Sequence, residues 1–145
     1  MYNGLLHAHS AIRWVALILI IYSVFNALMK RKSGDFTDGD RKLTLFTLIS
    51  AHVQGLLGLV LYFISPKVSF AEGFMKDSVL RFYAMEHILL MVIALVLITM
   101  GYSKMKKSTE SSDKFKRILI FYGIALLLII AAIPWPFRDL GAAWF

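Results

Sequence analysis

Four apolar runs constrain this chain more than any other feature: Leu5 to Met29, Leu43 to Ile64, Val79 to Tyr102 and Ile118 to Ile133. At a rise of about 1.5 Å per residue, the first three are long enough as helices to cross a hydrocarbon layer ~30 Å thick, and the fourth is slightly short. Backbone placed in hydrocarbon must satisfy its own N–H and C=O groups, which leaves helices or a closed barrel. No apolar–polar alternation competes with the runs, so a barrel is not expected. In 145 residues, 59% are hydrophobic, and the mean hydropathy is +0.69, more apolar than an ordinary soluble domain. The expected fold class is all-α, an integral membrane four-helix up-down bundle. It forms a single domain over residues 1–145 with helices at 5–29, 43–64, 79–103 and 117–133.

The first run is expected to be retained. It lacks a basic leader, its apolar stretch is long, and Lys30, Arg31 and Lys32 follow where a signal peptide would carry small residues. The formal net charge is +7, and its distribution explains it better than nucleic acid does. Lys30, Arg31, Lys32, Arg41 and Lys42 flank the first connection. Lys104, Lys106, Lys107, Lys114, Lys116 and Arg117 flank the third, whereas Ser65 to Ser78 holds only Lys67 and Lys76. This is the positive-inside pattern. It predicts a multi-pass membrane protein with loops 30–42 and 104–117 cytoplasmic and both termini outside.

The connections carry their own signals. Pro66 stops the second helix, and Asp77 or Ser78 can cap the third. "PWPFR" (Pro134 to Arg138) ends the fourth. Trp135, Phe137, Trp144 and Phe145 are then expected at the outer interface. With no cysteine, disulfides, iron–sulfur clusters and covalently attached c-type haem are excluded.

Ionisable groups within the runs are few: His7, His9, Arg13, His52, Arg81, Glu86 and His87. Each is costly in hydrocarbon and therefore a candidate functional residue. Counted from the basic helix ends, His9 lies ~32 Å out, Arg13 and His87 ~26 Å, Glu86 ~27 Å, and His52 ~15 Å, near the midplane. Arg13 and Glu86 share a depth on different helices and are expected to form a structural ion pair. His87 shares the outer half with His9 and His7. Two histidines on facing helices can ligate one haem iron from opposite sides, with Arg13, Arg81 and Lys76 placed for the propionates. His9 and His7 point about 200° apart around the helix, and His9 is the preferred ligand, with His7 as interfacial residue or alternative ligand. His52, followed by Gln54, Gly55 and Gly58, is a further candidate, for His87's haem, a second haem or a quinone. An interhelical hydrogen bond is the plain alternative for each histidine, and helix packing for each glycine.

"HAHSAIRW", "HVQGLLGLVLYFISP", "VLRFYAMEHILLM" and "IPWPF" resemble a family of small four-helix bacterial membrane proteins labelled cytochrome b-like, over nearly the whole chain. A looser likeness is to the half-bundle of haem A synthase, whose order of elements His9 with Arg13, Gln54 to Gly58, Pro66 and His87 follow. Arg13 stands four residues from His9 rather than beside it, His52 has no counterpart, and a second half-bundle is lacking. The resemblance implies a bacterial inner-membrane protein with haem b held by His9 and His87. Two histidine ligands leave no open position, which favours electron transfer or an accessory respiratory role over catalysis on a substrate of its own. The expected partners are lipid, membrane quinol and an outer-face redox protein; oligomerisation stays open. The competing readings are a non-redox scaffold with a His/Arg/Glu network, and a quinone- or metal-binding enzyme built on His52.

Overall fold

The computed structural model describes residues 1–142 and Trp144; Phe145, expected at an interface, lies outside the described residues. Four helices are long and apolar enough to cross a membrane: α1 (Tyr2–Lys30), α2 (Asp38–Ile64), α3 (Ser78–Lys107) and α4 (Ser111–Ala132). There is no strand among the described residues. Each helix packs against the next, and α4 closes back on α1, so α1 and α3 face each other across the bundle. Ring closure with antiparallel neighbours is the up-down arrangement that short connections favour.

The helices run further into polar sequence than the apolar runs, because local chemistry caps them. Thr37 and Asp40 form a capping box: the Thr37 side chain accepts from the Asp40 N–H, and the Asp40 carboxylate accepts from the Thr37 N–H. This starts α2 five residues before Leu43. The Asp77 carboxylate accepts from the Val79 and Leu80 N–H groups and starts α3. Within α3, Phe82–Glu86 form a π-helical turn, where each N–H reaches one residue further back than in an α-helix.

The core is a seam at alternating spacings of three and four residues. α4 contributes Phe115, Ile118, Tyr122 and Ala125; α3 contributes Ala94, Ile98, Gly101 and Met105. This spacing puts one stripe of each helix inside. Gly101 is required by close approach: a Cβ there would stand 2.6 Å from the Phe121 Cβ. Away from the seam the bundle is apolar to its surface, with Ile18, Phe25, Leu56, Phe63, Leu89 and Leu127 all exposed. A soluble monomer rarely presents so much apolar surface; it is compatible with contact with a lipid bilayer.

The two ends differ in chemistry. The end bearing the basic connections holds Asp40, which is buried and accepts from Asn26 at 2.6 Å and Lys30 at 2.9 Å. Beside it Ser23 bonds Thr47 at 2.7 Å, and the Tyr122 hydroxyl donates to the Thr44 carbonyl at 3.0 Å. The opposite end holds His7, His9 and His87 and the chain's C-terminal segment.

Candidate functional site

The site begins with two prolines. Past Ala132 the chain turns through Pro134 and into a short 3-10 turn, Pro136–Arg138. Proline has no N–H, so the Ile130 and Ala132 carbonyls lose the partners that residues 134 and 136 would supply. Side chains take their place. The Trp135 indole donates to the Ile130 carbonyl at 2.9 Å, and Arg138 donates to the Ala131 carbonyl at 2.7 Å. The Ala132 carbonyl pairs with His87 Nδ1 at 2.7 Å. A carbonyl only accepts, so Nδ1 carries the proton and Nε2 keeps its lone pair. Thus "PWP" both ends α4 and fixes the tautomer and ring orientation of His87.

Across the bundle stands His9. Its ring centroid is 6.5 Å from that of His87, edge to face at 75°. His9 rests on α2 at Gly58, where a Cβ would come within 3.1 Å of its ring. The Gln54 amide donates to the His9 carbonyl at 2.9 Å and reaches His9 Nε2 at 3.3 Å. Phe82 and Tyr83 pack on His87, and the Tyr83 hydroxyl donates to the Leu140 carbonyl at 3.1 Å.

The C-terminal segment covers this end. Arg13 donates to the Trp144 carbonyl at 2.8 Å, and the Trp14 indole does so at 3.1 Å. Trp14, Trp135 and Trp144, all the tryptophans of the chain, meet in one cluster with centroids 6.1 to 6.2 Å apart. Lys67 ties the same segment down through the Gly141 carbonyl. Indoles grouped at one end of apolar helices suit a membrane–water boundary.

The expected ion pair between Arg13 and Glu86 is not formed. Glu86 accepts instead from Arg81, at 2.7 Å, and Arg13 goes to the Trp144 carbonyl. The π-helical turn between them is the reason. Residues five apart are well separated around an α-helix, but a π turn brings them onto one face. Arg81 is therefore committed to Glu86 and to the Met75 carbonyl at 3.0 Å, not to the histidine pair.

His7 and His52 also stand apart from the pair. His7 is exposed. His52 lies on the outer side of α2 and is exposed; its Nδ1 bonds its own helix at the Leu48 carbonyl, 2.9 Å, and its Nε2 lies 3.4 Å from the Thr99 hydroxyl. Of the four histidines, the fold brings together only His9 and His87. It adds three groups that sequence reasoning did not assign: Tyr83, the Ala132 carbonyl and the Trp144 carbonyl. Pro136, four residues past Ala132, is the signal that could have found the second.

Three buried side-chain polar atoms lack a partner among the described residues: His9 Nδ1, Arg13 Nε and Gln54 Oε1. All three belong to residues at the histidine end. Each such atom costs about 1–3 kcal/mol unless water or a bound group completes it. The donor set fits the haem that the resemblance implies. Each imidazole keeps one nitrogen that no hydrogen bond among the described residues uses, His87 Nε2 and His9 Nδ1, so each can offer a donor to a metal. A macrocycle supplies the remaining ligands, so two histidines are enough. Arg13 is the cation beside the pair that can meet a carboxylate.

Compared with family models, with curated proteins and with solved structures, the chain finds no match.

Proposed function

We propose that this chain is a small integral-membrane b-type cytochrome. Its histidine end faces the outer side of a bacterial inner membrane, and its basic loops face the cytoplasm. The observation that carries the reading is His9 opposed to His87 at 6.5 Å, with His87 Nδ1 committed to a backbone carbonyl and Nε2 left to ligate. A backbone acceptor on the far nitrogen is the usual support of a metal-bound histidine. The excess of Lys and Arg on the first and third connections supports the orientation.

Haem held by two histidines supplies one-electron transfer and leaves no open position for a substrate, so an electron carrier or accessory respiratory subunit suits it better than an oxygen-activating enzyme. The chain's residues do the rest. His9 and His87 would hold the haem from α1 and α3; the Ala132 carbonyl and Gln54 orient the two rings; and Arg13 would meet one of its carboxylates. Membrane quinol and an outer-face redox protein are the partners this position suits.

The test is an optical spectrum of protein purified from membranes of cells supplied with haem. A Soret band with sharp reduced α and β bands is expected, lost in His87→Ala and His9→Ala and kept in His52→Ala and His7→Ala. A second reading, a non-redox helix-packing subunit, is favoured by the hydrogen bonds that His87 and Gln54 make to backbone carbonyls of other helices. It predicts a colourless protein.

A further inference from the structure

The two basic connections neutralise their charge differently. At the α1–α2 connection, carboxylates of the chain meet Lys30, Arg41 and Lys42, whereas Arg31 and Lys32 are in no ion pair among the described residues. Lys30 meets Asp40 at 2.9 Å, and Arg41 and Lys42 meet Asp38 at 2.7 and 3.0 Å. At the α3–α4 connection, Lys104, Lys107 and Arg117 line one hollow with Ser108. None of the three cations is in an ion pair among the described residues, although Glu110 and Asp113 lie in the same connection. Lys104 lies over the Phe121 ring instead, 5.9 Å from its centroid.

Three like charges lining one open hollow repel one another, and an anion placed among them relieves the repulsion. The hollow sits where two long apolar helices end. In a bilayer that is the level of the headgroups, where the abundant anion is lipid phosphate; basic hollows between helix ends are suited to such headgroups. One phosphodiester carries a single negative charge, fewer than three cations can accept. We propose that the hollow formed by Lys104, Lys107, Ser108 and Arg117 binds the headgroup of an anionic lipid carrying two phosphodiesters. The cations meet the phosphates, while the Ser108 hydroxyl donates to the Lys104 carbonyl at 3.0 Å and closes the helix end beside them. This rests on the membrane reading above and not on haem.

The test uses the full chain in neutral detergent, titrated with cardiolipin, with phosphatidylglycerol and with inorganic phosphate, and read by native mass spectrometry. One cardiolipin per chain is expected to be retained. Phosphatidylglycerol should bind about tenfold more weakly, in line with one fewer charge contact. Lys104→Gln/Lys107→Gln/Arg117→Gln should lose the bound lipid. Arg31→Gln/Lys32→Gln/Lys116→Gln removes the same charge from the same end and should keep it. Equal loss in both triple variants, displacement by inorganic phosphate, or no retained cardiolipin in the parent chain would overturn the proposal. If the first triple variant does not fold, Lys107→Gln alone, at an exposed helix end, must lower retention for the proposal to stand. Flotation with liposomes and the Soret band are read on the same samples, so failure of the membrane or haem reading is seen separately.

Discussion

At the basic-loop end of the bundle, buried polar side chains are matched to one another: Asp40 with Thr37, Asn26 and Lys30, Ser23 with Thr47, and Tyr122 with the Thr44 carbonyl. At the histidine end, His9, Arg13 and Gln54 each bury a polar atom with no match among the described residues. A buried polar group that is satisfied contributes about 1 kcal/mol, whereas an unsatisfied one costs more than that. One end is therefore built for stability. The other leaves polar atoms that water or a bound group would have to complete. The C-terminal segment, folded over that end by Arg13, Trp14 and Lys67, closes it from the side where the apolar helices stop.

Substitutions at the two ends should then behave in opposite ways. The largest effect belongs to the matched end. Tyr122→Ala removes a fully buried ring and its bond to α2, and should lower unfolding free energy by about 4 kcal/mol in detergent titrations. Asp40→Ala leaves Asn26 and the Thr37 N–H without their acceptor and should lower it by about 2 kcal/mol, less than a fully buried pair because Lys30 is half exposed. At the other end His9→Leu replaces a ring with an orphaned nitrogen by an apolar side chain. It should leave the haem-free protein as stable as the parent or about 1 kcal/mol more stable. A loss comparable to that of Tyr122→Ala would erase the difference between the ends. Smallest is His52→Leu, on the exposed side of α2, which should change stability by no more than ~0.5 kcal/mol and leave any haem spectrum in place. Loss of the spectrum in His52→Leu would move the site away from the His9–His87 pair.

The sequence carried much of this. Apolar run length located four helices, because a helix that turns an apolar surface outward all round has no polar face to interrupt it. Run length did not locate their ends, since a helix continues into polar sequence wherever a cap is available. The Thr37-x-x-Asp40 spacing was the readable sign of that. Depth along the axis brought His9 and His87 to the same end and set His52 apart. Depth did not fix direction around the axis, so Arg13 and Glu86 looked like partners until the π turn of α3 gave Glu86 to Arg81. Nothing in "RFYAME" announces that turn: its residues suit an α-helix equally well, and the i to i+5 pattern is a property of packing. The acceptor that orients His87 is backbone, invisible to side-chain motifs, and it is exposed only by asking which carbonyls Pro134 and Pro136 leave without a donor.

The most direct measurement is a pair of thermal melts, of the parent chain and of His9→Leu, each with and without added haem. A ligand that binds only the folded chain raises its melting temperature. The account predicts that His9→Leu melts at or above the parent without haem, and that haem stabilises the parent alone. Equal stabilisation of both by haem, or a haem-free His9→Leu that melts well below the parent, would contradict it.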